Sequence, residues 1–238
     1  MKKLGLIGGI GCKSTVLYYE LITTQISHKL GQRQSGNIII YSVNEYDVYT
    51  AAIENDWNTV AEILLHAYKN LENAGADFLI ICSNTCHKVV DLINPQFKKP
   101  LIHILEPICQ EITKNNYKKI ALFGTKFILE EGFYLNYIHS HAHSIKQIII
   151  PDKNRIDIVH NIISNELLLG IIKNESKSIL ISIWEELRKK GADCLILGCT
   201  ELSLIISKTD LSSPILDSTS LHAKYAAELS IKNHEDDK

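Results

Sequence analysis

The sequence predicts an α/β protein built as two pseudo-symmetric doubly wound lobes, each with a mainly parallel sheet. Short apolar runs alternate with longer amphipathic stretches along the whole chain. Two separate segments also recur at one shared offset close to half the length. The 238 residues, 45% hydrophobic and 22% charged with a net charge of −2, suit a soluble globular protein of one or two domains.

In chain order, the strand-like runs are Leu4 to Ile7, Ile38 to Val43, Phe78 to Ile81, Leu101 to Ile104, Ile120 to Phe123, Ile145 to Ile150 and Cys194 to Leu197. Each is short, apolar and rich in Ile, Leu or Val, which is how strands buried on both faces read. Helical patterning covers Ser14 to Lys29, Thr59 to Ala74, Lys88 to Ile93, Pro107 to Asn115, Ile156 to Leu169, Ser176 to Lys190 and Leu221 to Ile231. Strands separated by helices of this length pair in parallel through crossover helices.

Setting residue n over residue n+116 aligns Lys3-Leu4-Gly5-Leu6-Ile7-Gly8 with Lys119-Ile120-Ala121-Leu122-Phe123-Gly124. The same shift aligns Gly75-Ala76-Asp77-Phe78-Leu79-Ile80 with Gly191-Ala192-Asp193-Cys194-Leu195-Ile196. A tandem duplication of one α/β unit is the economical explanation, and two such lobes are expected to enclose a cleft.

Several function classes are disfavoured. Only three of the 25 basic residues are arginines (Arg33, Arg155, Arg188) and none is clustered, so no nucleic-acid partner is expected. No apolar run approaches the ~20 residues of a membrane span, and the apolar stretch before Gly8 is too brief for a signal peptide. Six dispersed cysteines then read as reduced thiols of a cytoplasmic protein. Gly8-Gly9-Ile10-Gly11-Cys12-Lys13-Ser14 lacks the glycine that a phosphate loop places before Lys-Ser, and reads as a tight strand-to-helix turn. His139, His141 and His143 fall between a helix and a strand with no further ligand nearby, and read as a surface connection. His103 and His222 read as structural histidines that could border the cleft, and residues 233–238 as a frayed tail.

The offset also pairs Ser83 with Cys199, Asn84 with Thr200, and Thr85 with Glu201. Each triplet follows a predicted strand and precedes a predicted helix, where ligands of open α/β sheets bind and free N–H groups can hold an anion. A thiol at such a helix start is expected to have a depressed pKa, which makes Cys199 a candidate catalytic thiolate; Cys194, on the strand itself, reads as core.

Taken together, Gly8-Gly9-Ile10-Gly11, Ser83-Asn84-Thr85-Cys86-His87, Phe123-Gly124-Thr125-Lys126-Phe127, Leu197-Gly198-Cys199-Thr200-Glu201-Leu202 and Asp217-Ser218-Thr219 resemble the cofactor-independent aspartate/glutamate racemase family over essentially the whole chain. The aspartate racemase branch is the more similar, because glutamate racemases usually carry His after the second Cys-Thr. The resemblance implies racemisation of aspartate, glutamate or a related amino acid, interconverting L- and D-forms without pyridoxal phosphate; no metal is expected either, because no ligand cluster in the sequence is complete. One residue removes the Cα proton and another delivers a proton to the opposite face, the roles falling to Ser83 and Cys199. It further implies substrate contacts from Ile10, Asn84, Thr85, Thr125, Lys126, Thr200 and Glu201, and a homodimer. The first lobe is then 1–104 plus 217–238 and the second 105–216.

The departures from the family pattern are specific. Ser83 stands where the family usually has Cys, and a hydroxyl is a far poorer base than a thiolate, so turnover is expected to be weak or direction-dependent. Cys82 and Cys86 are near but are expected to point elsewhere. No Arg occurs in Asn44-Glu45-Tyr46-Asp47-Val48-Tyr49, where aspartate racemases commonly hold the side-chain carboxylate; Lys13, Lys126 and Lys173 are the available cations. A weakly catalytic amino-acid or carboxylate binding protein, or a one-thiol decarboxylase or epimerase, are the competing readings.

Overall fold

The computed structural model describes residues 1–232, which form two compact units: 1–104 with 222–232, and Leu105–Leu221. The expected frayed tail, 233–238, lies outside the described residues.

In the first unit the order is β1 (Lys3–Gly8), α1 (Cys12–Leu30), β2 (Asn37–Ser42), α2 (Glu45–Ile53), α3 (Trp57–Asn73), β3 (Phe78–Ile81), a 3₁₀ turn at Thr85–Val89 running into α4 (Val90–Ile93), and β4 (Leu101–Ile102). The sheet is parallel throughout, ordered β2-β1-β3-β4. Alternation along the central strands divides the core. Ile7, Leu79 and Ile81 face α3, while Leu4, Leu6, Phe78 and Ile80 face Tyr18, Ile22 and Ile26 of α1. Helix α3 forms where Asp56 caps it, accepting from the Thr59 amide at 3.1 Å, and where Val60, Leu64, Ala67 and Leu71 make one apolar stripe.

The second unit repeats this plan with α5 (Leu105–Lys114), β5 (Lys119–Phe123), α6 (Lys126–Glu130), α7 (Phe133–His141), β6 (Gln147–Ile149), α8 (Lys153–Ile162), α9 (Asn174–Lys189), β7 (Cys194–Leu197), a 3₁₀ turn at Thr200–Leu204, β8 (Ile215–Asp217) and the start of α10 (Ser218–Ile231). Its sheet is again parallel, in the equivalent order β6-β5-β7-β8. Trp184, Leu180, Ile183 and Leu187 of α9 pack on Ala121, Phe123, Leu195 and Leu197.

The duplication extends to individual hydrogen bonds. Leu4 pairs with Phe78, and Ile120 pairs with Cys194, each partner displaced by the same offset. Asp77 accepts from the Lys3 amide at 2.7 Å and Asp193 from the Lys119 amide at 2.8 Å. Ahead of each aspartate, Gly75 (φ +85°) and Gly191 (φ +96°) end α3 and α9 in the left-handed region that a side chain would strain.

Several sequence expectations need correction. Residues 45–53, covered by none of the expected helical stretches, form α2; its outward Tyr46, Tyr49 and Ile53 hide the amphipathic pattern, since only Val48 and Ala51 are buried. Helices α6 and α7 and the three-residue strand β8 were not anticipated. His139 and His141 belong to α7 rather than to a connection, with all three histidines of that run exposed. The expected helix at 88–93 is a 3₁₀ turn plus a single α turn. Asp217 and residues 218–221, expected in the first lobe, group with the second because Asp217 completes β8 against Leu197.

Candidate functional site

The glycine turn after β1 is closed by its own neighbours. Gly9 adopts φ +82°, and a Cβ there would lie 2.2 Å from the Val43 carbonyl oxygen. Its amide donates to Thr15 Oγ1 at 2.9 Å, and Glu45 Oε2 accepts from the Cys12 amide at 3.4 Å, so a carboxylate already faces the first turn of α1. This is a tight strand-to-helix turn with its own anion in place, an arrangement that disfavours a phosphate at that helix start. Ile10 is half-buried in the turn and Lys13 is exposed.

At the end of β3, Ser83 is half-buried and its Oγ accepts from the Cys86 amide at 3.4 Å. The Ser83 carbonyl accepts from the His87 ring at 2.7 Å, and the Asn84 carbonyl accepts from the His87 amide at 3.1 Å. Asn84 is buried and Thr85 half-buried. Both neighbouring thiols belong to the core, on opposite sides of the sheet: Cys82 toward α1, Cys86 toward α3. Burial raises the Cys82 thiol strongly and pushes that of Cys86 up to about 11, which suits neither to act as a base.

Cys199 occupies the matching position after β7. It is 8% exposed, and its thiol donates to Glu201 Oε2 at 3.0 Å. Burial, and then the Glu201 carboxylate, hold the thiol well above its ordinary pKa. The expected depression is therefore overturned. The helix that was to stabilise thiolate is only a five-residue 3₁₀ turn, and a carboxylate in contact outweighs it. Cys194 is core, as expected, its thiol pushed up to about 12 by burial. Around the turn, Thr200 and Glu201 are buried, and Ser218 Oγ donates to the Leu197 carbonyl at 2.8 Å. Burial also raises the Asp217 carboxyl, although it accepts from the Thr219 amide at 3.1 Å.

The remaining sequence candidates are dispersed. Thr125 stands at the N-cap position of α6 without a side-chain cap bond, and its buried hydroxyl has no hydrogen-bond partner among the described residues. Lys126 pairs with Asp157 at 2.5 Å and Lys173 with Glu166 at 3.0 Å. His222 is fully buried in the first unit, a structural histidine held between Tyr18 and the Ile102 carbonyl. Sequence reasoning gave no separate part to His87 or Asp217, whose only signal was their place in the quoted motifs. Among the described residues no three or more His, Cys, Asp or Glu side chains are arranged to hold a metal ion, and no helix is long and apolar enough to cross a membrane.

Comparison with known proteins adds a family to this geometry. The sequence profile of the Asp/Glu/hydantoin racemases matches residues 7–226. A Yersinia pestis protein whose provisional name is Asp/Glu racemase is 37% identical, with a TM-score of 0.90 over 97% of this chain and 100% of its own. An aspartate racemase homologue from Pyrococcus horikoshii OT3 is 32% identical, with a TM-score of 0.84 over 97% of this chain and 99% of its own. Among curated proteins, the broad specificity amino-acid racemase RacX of Bacillus subtilis (strain 168) is 22% identical over 227 residues, covering 93% of this chain and 95% of that protein.

Proposed function

We propose, from the premise that this chain belongs to the Asp/Glu/hydantoin racemase family and is an amino-acid racemase, that Cys199 and Ser83 are its two proton-transfer groups and that its side-chain preference is broad. The observation that carries the proposal is the pair of turns repeated at one offset, with a thiol in one hydrogen-bonded to a carboxylate and a hydroxyl in the other.

The chemistry follows from the acidities. A buried thiol with a raised pKa is no base until a neighbour takes its proton, and Glu201 Oε2 at 3.0 Å is placed to do so. The resulting thiolate removes the Cα proton of the amino acid. The electron pair spreads onto the α-carboxylate, where backbone N–H groups of the turns offset the added charge. A proton then returns to the opposite face of Cα from the Ser83 hydroxyl; solvent reprotonates the serine oxygen and takes up the proton held by Glu201, so that each group regains its starting state. In the reverse direction Ser83 must abstract the proton, and an unactivated hydroxyl does this poorly. The absence of an arginine in α2 and the ion pairs already made by Lys126 and Lys173 argue against a dedicated partner for a second carboxylate. RacX, named for its broad specificity, is consistent with that reading. A cytoplasmic homodimer is part of the same proposal, by analogy with the family.

Cα hydrogen–deuterium exchange followed by proton NMR over a panel of L- and D-amino acids tests it. One enantiomer is expected to exchange faster in initial rate at saturation, and Cys199→Ala should abolish that exchange. Ser83→Cys should accelerate the slow enantiomer preferentially. Parental exchange rates in Cys199→Ala would remove Cys199 from the mechanism. Initial rates left unchanged by Ser83→Cys would reduce Ser83 to a turn residue whose Oγ only accepts from Cys86.

A further inference from the structure

The turn that carries Ser83 is held differently from its duplicate. His87, four residues on, is 3% exposed, and its two ring nitrogens contact two different segments. Nε2 lies 3.1 Å from the Ile104 amide nitrogen and Nδ1 lies 2.7 Å from the Ser83 carbonyl oxygen. An amide can only donate, so Nε2 is the acceptor, the ring proton sits on Nδ1, and Nδ1 donates to Ser83. One neutral imidazole thus ties the Ser83 backbone to the chain leaving β4.

Other histidines brace this ring. His103 meets it edge-on with ring centroids 4.5 Å apart, and His222 with centroids 5.9 Å apart. His222 Nδ1 is 2.9 Å from the Tyr18 hydroxyl, and its Nε2 is 3.1 Å from the Ile102 carbonyl. The two residues flanking His103 are therefore each bonded to an imidazole. Position 203 is the duplicate of position 87, and among the described residues the Ser203 side chain there bonds within its own turn, its Oγ donating to the Thr200 carbonyl at 2.9 Å. The tether to a neighbouring strand belongs to the Ser83 turn.

We propose that His87 is a positioning residue for Ser83, its Nδ1–H holding the Ser83 carbonyl while Nε2 accepts from Ile104, so that the serine hydroxyl is presented for proton delivery. The inference rests on the reading of Ser83 as the second proton-transfer group. The direct cap on this turn, in which Ser83 Oγ accepts from the Cys86 amide, is long and therefore weak at 3.4 Å, whereas the bond from His87 to the Ser83 carbonyl is short at 2.7 Å. The carbonyl bond to His87 can persist through proton delivery.

Two isosteric amides separate positioning from mere packing. His87→Asn places an amide N–H near the position of Nδ1 and keeps donation to Ser83, whereas His87→Gln places an acceptor near the position of Nε2 and keeps only the Ile104 bond. Racemisation should fall about tenfold or more in His87→Gln at unchanged KM, in line with the loss of one buried hydrogen bond, and His87→Asn should stay within about threefold of the parent. Non-inverting exchange of the enantiomer that faces Cys199 should be preserved in both. Independently of activity, backbone amide hydrogen exchange at Cys86 and His87 should quicken in His87→Gln and not in His87→Asn. Equal behaviour of the two variants, in racemisation or in amide exchange, would overturn the positioning role, as would a parallel loss of non-inverting exchange. A parent protein inert toward every amino acid would instead fail the proposed function, with the amide-exchange comparison still deciding the tether.

Discussion

Replacing Glu201 with Gln removes one charge from beside Cys199 and leaves the volume unchanged. The thiol sulfur and the carboxylate oxygen are 3.0 Å apart in a buried turn. Two unit negative charges at that separation repel by roughly 1.4 kcal/mol in bulk water and by about 5.5 kcal/mol at an effective dielectric of ~20. Thiolate forms that much more easily once the carboxylate is gone, so its population at neutral pH should rise at least about tenfold. Iodoacetamide alkylation of Cys199, followed by peptide mass spectrometry that separates it from the exposed Cys12, should quicken accordingly. Racemisation should move the other way, down by about 10² or more, because the variant has lost the group that receives the thiol proton as substrate binds. Opposite signs from one substitution are the signature of the pair. Unchanged alkylation together with a raised KM would mean that Glu201 contacts substrate instead, and unchanged racemisation would refute its part as proton acceptor.

Acid should destabilise the protein through its buried histidines. Burial lowers His87 to about 4 and His222 to about 3, so below the ordinary value near 6.5 the unfolded chain binds protons that the folded one refuses. Stability is then full above about pH 6.5 and falls toward pH 3 to 4 by about 1.4 kcal/mol per pH unit for each histidine; urea unfolding across that range should show the slope, and His87→Asn should make it shallower. Asp193→Ala, which strands the Lys118 and Lys119 amides, should cost about 1 to 3 kcal/mol in chemical denaturation. Trp184→Ala, emptying the largest fully buried side chain, should cost about 3 to 5 kcal/mol, visible as a lowered Tm. Activity should survive EDTA and hydroxylamine, and loss on either treatment would indicate a metal or a carbonyl cofactor.

The α/β class, the central strands and the duplication were legible in the sequence because each leaves a local trace. Phe78–Ile81 and Cys194–Leu197 are buried on both faces, so they read as unbroken apolar runs with identical bounds in sequence and structure. Gly75 and Gly191 announce the same left-handed helix end twice, and Asp77 and Asp193 the same cap. Short or outward-facing elements leave no such trace. Strand β8 has three residues and owes its place to β7, and α2 turns two tyrosines and an isoleucine to solvent.

Sequence and resemblance also named Ser83 and Cys199, but not their surroundings. A cysteine's acidity depends on what lies within a few ångströms of sulfur, and a turn expected to lower it instead presses a carboxylate against it. Likewise, nothing local marks His87 as a tether, because its partners are the carbonyl at 83 and the amide at 104, which only the parallel pairing of β3 with β4 brings to one ring. Periodicity and repetition are properties of neighbours along the chain and survive in the sequence. Burial, and the conformation that turns a near neighbour such as Glu201 onto Cys199, depend on packing with residues distant along it, so only the tertiary structure decided them.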